Sequence, residues 1–194
     1  MLSAAEITRG VQGALGFLWR DPAAALHFDN TMEACLRSFR VMALALPFHV
    51  VLNLIRYAHL TVQVDVFDVV MVEAISYIVN WLLFPVIFYE IARRRGWLER
   101  YPRYIGALNW ISLPATIIAT AAVALEAVVP DRVDQVIEII TQALFFYWFL
   151  IATRLALGAD WLISVVLLVV NWVPSILLSI IVGRYLGLFG AVAT

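Results

Sequence analysis

The chain has 194 residues, 64% of them hydrophobic and 14% charged, with a formal net charge of −1 at neutral pH. Soluble domains carry about a quarter charged residues, so in a chain too short for a second core the apolar surplus must face lipid, and with no basic tail nothing suggests a nucleic-acid partner. The one cysteine, Cys35, excludes intrachain disulfides, cysteine-based metal sites and dithiol redox pairs.

Residues 1–36 read as an interfacial amphipathic segment. Ser3-Ala4-Ala5-Glu6 is a capping-box pattern, and Ile7, Val11, Leu15 and Leu18 follow at helical spacing, which predicts a helix lying in the headgroup region. No basic stretch precedes a continuous apolar run here, so the segment does not read as a cleaved leader. Asp21-Pro22 fits an N-cap followed by proline at the first helical position, and Asn30-x-x-Glu33 fits a second capping box.

Residues 37–194 then read as an all-α, polytopic transmembrane bundle. A spanning helix needs roughly 20 mostly apolar residues, and five stretches qualify: 38–56, 67–91, 104–129, 135–157 and 161–184. The first has the shortest apolar run, Val41 to Ile55, and contains Pro47, His49 and Asn53. Between spans two and three, Arg93 to Arg103 holds five arginines in eleven residues, which predicts a cytoplasmic loop. That orientation places ten arginines inside and three (Arg56, Arg132, Arg184) outside. The expected location is a bacterial inner membrane, with a cytoplasmic N-terminus and a periplasmic C-terminus.

Within the spans, small and polar residues recur every third or fourth position, the spacing of one helix face. Span two shows Glu73, Tyr77 and Asn80, and span four Glu138, Thr141 and Gln142. Ser112, Thr116 and Thr120 in span three, and Ser175, Ser179, Gly183 and Gly187 in span five, read as helix-packing stripes.

Glu90 precedes Arg94 by one turn and predicts an ion pair. Glu73, Glu126 and Glu138 fall in the outer third with Asp65, Asp68, Asp131 and Asp134, seven acids against three arginines. The favoured reading is interfacial salt bridges to Arg56, Arg132 and Arg184, and the alternative is a cation or proton site.

Asn-Trp occurs at Asn80, Asn109 and Asn171, each followed by a proline, Pro85, Pro114 and Pro174. One reading is a set of broken helices lining a site. The favoured reading puts Trp110 in the interfacial aromatic belt and uses Asn80 and Asn171 to join helices. Glu73, Asn80, Glu126, Glu138 and Asn171 are the candidate intramembrane polar site.

No His-Glu-x-x-His pair, Gly-x-Ser-x-Gly elbow or phosphate-cradling glycine loop is present. A lone deep histidine, His49, reads as a packing residue, so no catalytic, cofactor-binding or metal-ligating residue is assigned and an enzyme is not expected. Phe28-Asp29, Arg37-Ser38-Phe39, Tyr104-Ile105-x-Ala107-x-Asn109-Trp110, Tyr147-Trp148 and Arg154-x-Ala156-Leu157 together resemble a family of small uncharacterised membrane proteins of alphaproteobacteria. That resemblance implies an inner-membrane location and about five helices, and brings no activity. More distantly, the proline-bearing leading segment before about five spans is similar in architecture to the Yip family, whose eukaryotic members act in membrane trafficking. The expected function is a non-enzymatic accessory or scaffold protein in the lipid bilayer, binding other membrane proteins or lipids or forming a homo-oligomer. The alternative is a small transporter or channel-like protein with an outer acidic cation or proton site.

Overall fold

Apolar length is the strongest signal in this chain, and it is realised as helix. The computed structural model describes residues 2–58, 60 and 62–188, so the end of the expected bundle, 189–194, and the side chain of Asp131 lie outside the described residues. The helices are α1 (Ala4–Leu18), a 3-10 turn (Ala24–His27), α2 (Met32–Ser38), α3 (Val41–Tyr57), α4 (Val66–Arg95), α5 (Tyr101–Glu126), α6 (Asp131–Ala152, ending in the π turn Thr153–Leu157) and α7 (Trp161–Tyr185). Five of these stretches are long and apolar enough to cross a membrane: Met32–Tyr57, Val66–Arg95, Tyr101–Glu126, Arg132–Leu157 and Trp161–Tyr185.

Each end has a local cause. Gly96, at φ 72°, stops α4 by turning left-handed, a conformation open to glycine at no steric cost. Asp160 caps α7 by accepting from the Ile163 amide at 2.8 Å. As expected, Glu90 pairs with Arg94 at 2.6 Å, and it also pairs with Arg93 at 2.9 Å. Pro47, Pro85, Pro114 and Pro174 all lie inside continuous helices, so the Asn-Trp segments are not broken.

α5 is the central helix, packed on α3, α6, α1 and α2, while α4 packs chiefly on α7. The best-filled core lies toward the arginine-rich end, where Trp148, Tyr104, Phe17, Phe88 and Ile105 are fully buried. Phe88 stands edge-on to Tyr104 at 4.9 Å and Phe84 edge-on to Phe149 at 5.6 Å, separations favoured by ring quadrupoles. Between helices in lipid such packing and hydrogen bonding must do what the hydrophobic effect does in water.

The leading segment docks on the bundle through a glycine-bearing face, with Ile7, Val11 and Leu18 partly buried beside it. The Ser3–Glu6 capping box forms, with the Ser3 amide donating to Glu6 Oε2 at 2.8 Å and the Glu6 amide to Ser3 Oγ at 3.2 Å. The buried residues of α1, however, are Gly10, Gly13, Ala14 and Phe17, while Leu15 is exposed. A reading weighted by side-chain apolarity overlooks glycine, yet glycine is what lets α1 approach α5. Trp110 is only 7% exposed, beneath Gly10, so it is a core residue and not part of an interfacial belt.

Capping differs as well. Thr31, not Asn30, caps α2 by accepting from the Ala34 amide at 3.2 Å. Asn30 instead donates to the Glu99 carbonyl at 2.6 Å and accepts from the Arg103 amide at 3.2 Å. Asp21 accepts from the Ala23 amide at 2.8 Å and so makes a local turn ahead of the 3-10 helix, with no α-helix following Pro22.

Hydrogen bonds then join the segment to the bundle. Tyr147 donates to the Leu18 carbonyl at 3.1 Å, Trp148 to the Ala14 carbonyl at 2.8 Å and Arg103 to the Phe28 carbonyl at 3.2 Å. Arg9 pairs with Asp29 at 3.0 Å, and Arg37 pairs with Glu6.

Glu6 carries a pH prediction. Hydrogen bonds from the Ser3 backbone and hydroxyl, helped by Arg37 and Arg9, lower its carboxyl from the ordinary 4.5. Its contribution to the docking of α1 is therefore full above pH 4.5 and lost as pH falls through the depressed folded value. Amide exchange in α1 should accelerate on acidification, and Glu6→Gln should remove that dependence. An identical acid response in the variant would assign the effect to another group.

Candidate functional site: a polar cavity among five helices

Helical spacing sets Glu73, Tyr77 and Trp81 one turn apart on a single face of α4, with Ser76, Asn80 and Phe84 beside them. The same spacing puts His49, Asn53 and Tyr57 on one face of α3. These faces, together with Ser112 and Thr116 of α5, Gln142 and Phe146 of α6, and Asn171, Trp172, Ser175 and Ser179 of α7, line a cavity of about 680 Å³. That volume falls in the range of small-molecule sites, roughly 300–1,000 Å³. The lining runs from Leu60 and Leu188, beyond the ends of α3 and α7, down to Phe84, Ile105, Trp148 and Phe149. Those four residues are buried and close the end that faces the arginine-rich side.

A connected polar chain lies on the α3–α4 wall. Asn53 Nδ2 donates to Glu73 Oε2 at 2.8 Å and contacts His49 Nε2 at 3.2 Å. Tyr57 donates to Glu73 Oε1 at 2.5 Å. The His49 ring lies 4.5 Å from the Tyr77 ring, and the Tyr77 hydroxyl donates to the Met42 carbonyl at 2.7 Å, which fixes the α3–α4 register. Across the cavity Ser175 donates to Asn80 Oδ1 at 2.8 Å, joining α7 to α4.

Ser76, Ser112, Thr116 and Ser179 each donate to the carbonyl four residues earlier, at 2.7, 3.0, 2.7 and 3.0 Å. Their protons are thereby satisfied within their own helices, and their oxygens remain available as acceptors. The cavity thus offers amides, acceptor hydroxyls, aromatic walls, one imidazole (His49), one guanidinium (Arg56) and one carboxylate (Glu73).

Of the residues singled out from sequence, Glu73, Asn80 and Asn171 come together in this cavity. Glu126 and Glu138 do not line it. Glu126 sits with Asp134 and Glu138 at the junction of α5 and α6, with Arg56 the nearby cation. Asn109 touches the cavity but is 4% exposed and donates to Ser38 Oγ at 2.8 Å, tying α5 to α2.

The packing stripes divide in the same way. Ser112, Thr116, Ser175, Ser179 and Gly183 face the cavity, whereas Thr120 donates to the Phe48 carbonyl at 3.0 Å and joins α5 to α3. Gly187, at φ 74°, turns the chain after α7 against Gln63. Asn80 does join helices, as expected from the packing reading, while it also lines the cavity.

Among the described residues, which leave out the Asp131 side chain, the expected outer salt bridges do not form. Among the described residues the ion pairs are Arg9–Asp29, Arg37–Glu6, Arg93–Glu90 and Arg94–Glu90, and none involves Arg56, Arg132 or Arg184. Sequence gives the depth of Glu73 but not its azimuth, and its carboxylate turns inward to Asn53 and Tyr57. No group of three or more His, Cys, Asp or Glu among the described residues is placed to hold a metal.

Asn53 and Tyr57 are the partners that reading by span composition missed. Their spacing of four and eight residues from His49 was the available signal, and it points to a polar face on a span otherwise read as short and irregular. The chain matches no family model, no curated protein and no solved structure.

Proposed function

We propose that this chain is a multi-pass inner-membrane protein that admits a small molecule into a one-sided vestibule within the bundle, as a carrier or receptor and not as an enzyme. The observation that carries this reading is the cavity of about 680 Å³, polar along its walls and shut by Phe84, Ile105, Trp148 and Phe149 at one end. Packing alone would bring small and polar faces into contact, whereas here Asn171 and Ser179 border open space. The one imidazole and the one carboxylate of the lining are tied to each other through Asn53, an arrangement suited to holding a ligand.

The arginine distribution favours a cytoplasmic N-terminus and a periplasmic C-terminus, which turns the vestibule mouth to the periplasm. Two measurements test the reading. In a Cys35→Ser background, Asn80→Cys and Ser179→Cys should react with an impermeant maleimide added outside spheroplasts, while Ile105→Cys stays protected. Alkaline phosphatase fused within residues 93–103 should be silent. Protection at both Asn80 and Ser179 would remove the vestibule, and an active fusion in 93–103 would invert the orientation.

A further inference from the structure

We infer that the vestibule selects organic monocations, an ammonium group carried on an apolar body, with Glu73 as the counter-charge; this rests on the vestibule reading and names its ligand class. Glu73 accepts from two neutral donors, one on each oxygen, and takes part in no ion pair among the described residues. A carboxylate has about four acceptor sites, so two remain open, and its charge is unbalanced by any neighbour within ion-pair distance. A charge at membrane depth is costly unless it is paired or wet. A bound cation meets that requirement.

Arg56 is the one guanidinium of the lining. Arg56 lies in the last turn of α3, beside Tyr57 and near Glu126, and makes no ion pair with Glu73. His49 contacts the Asn53 amide nitrogen, whose second hydrogen is directed at Glu73, so the ring nitrogen serves there as an acceptor.

Below Glu73 the wall changes character. Tyr77 and Trp81 follow on the same face of α4, their rings edge-to-face at 6.1 Å, and Phe146 and Trp172 stand opposite, edge-to-face at 5.3 Å. Aromatic faces attract cations and accept apolar bodies. Glu73 and Trp81 are eight residues apart, roughly 12 Å along a helix rising 1.5 Å per residue. One carboxylate with an aromatic slot about that deep fits a single ammonium with an apolar tail of up to about 12 Å. It does not fit a metal, for which the described residues supply no ligand set, nor a polyamine, which would leave further charges unpaired.

The test compares three probes of matched shape on the purified full chain in one detergent: 4-phenylbutylammonium, 4-phenylbutanol and 4-phenylbutyrate. The ammonium probe should bind at least tenfold more tightly than the other two, and Glu73→Gln, which keeps the shape, should erase that preference while Glu73→Asp retains part of it. Folding of each variant is read from its thermal transition. Equal binding of all three probes would leave a ligand-binding vestibule standing and overturn the cation selectivity. Ammonium selectivity that survives in Glu73→Gln would overturn the role of this carboxylate, as would an absence of binding by any probe in a protein whose Asn80→Cys form still reacts with maleimide.

Discussion

Gly10→Ala should lower the unfolding temperature of the purified protein, while Gly106→Ala should leave it unchanged or raise it. By propensity alone both substitutions favour folding, since glycine inside a helix is about 1 kcal/mol worse than alanine. The surroundings reverse this at position 10. A Cβ there would lie 2.2 Å from Trp110 Cδ2, with two further indole atoms within 2.5 Å. The indole is held in the core at 7% exposure, so relieving the clash displaces the ring or lifts α1 from α5. Overpacking costs about 1–3 kcal/mol, which exceeds the propensity gain. At Gly106 nothing lies within 4 Å of the new carbon. Thermal unfolding in one detergent, with amide exchange in α1 as the local readout, decides the matter. A Gly10→Ala protein as stable as the parent would show that α1 does not rest on Trp110.

This contrast marks what the sequence could convey. All five spans were legible, because twenty apolar residues in a row have few alternatives to a helix in lipid. Expected 67–91 became Val66–Arg95, and expected 161–184 became Trp161–Tyr185. Azimuth was far less legible. Glu73, Glu126 and Glu138 share a depth, yet only Glu73 turns into the cavity, because its partners Asn53 and Tyr57 lie on another helix. Neither hydropathy nor spacing reports which faces of two helices will meet. Glycine faces are invisible for a related reason, since their contribution is the room they leave.

The segments around Phe28, Arg37, Asn109, Trp148 and Arg154 gather at one place in the fold. Phe28 stacks on Phe17, Asp29 pairs with Arg9, Arg37 with Glu6, and Ser38 accepts from Asn109. Tyr147 and Trp148 bond to α1, and Arg154 lies over the Trp161 ring at 4.3 Å. They form the joint between the leading segment and the bundle. The cavity residues lie mostly outside them.

Trp148 belongs to both regions, which makes it the site of the largest expected effect. Its indole is fully buried, forms part of the cavity floor, and donates to the Ala14 carbonyl at 2.8 Å. Trp148→Ala should destabilise the protein by about 3–5 kcal/mol, the usual range for emptying a buried aromatic position. Trp148→Phe keeps most of the apolar contact and removes the N–H, so its cost should be nearer 1 kcal/mol and concentrated in α1. Exchange in α1 should therefore quicken in Trp148→Phe while exchange in α5 stays slow. With the alanine variant the floor itself opens, and a cysteine at Ala152, buried behind it in the parent, should begin to react with water-soluble maleimide. Uniform loss of protection across all helices in Trp148→Phe would mean that this residue supports the bundle as a whole. An unreactive Ala152→Cys in a folded Trp148→Ala protein would mean that Phe84 and Phe149 close the vestibule without it. The predicted pattern, local loosening in one variant and a breached floor in the other, follows only if a single side chain both anchors α1 and seals the cavity.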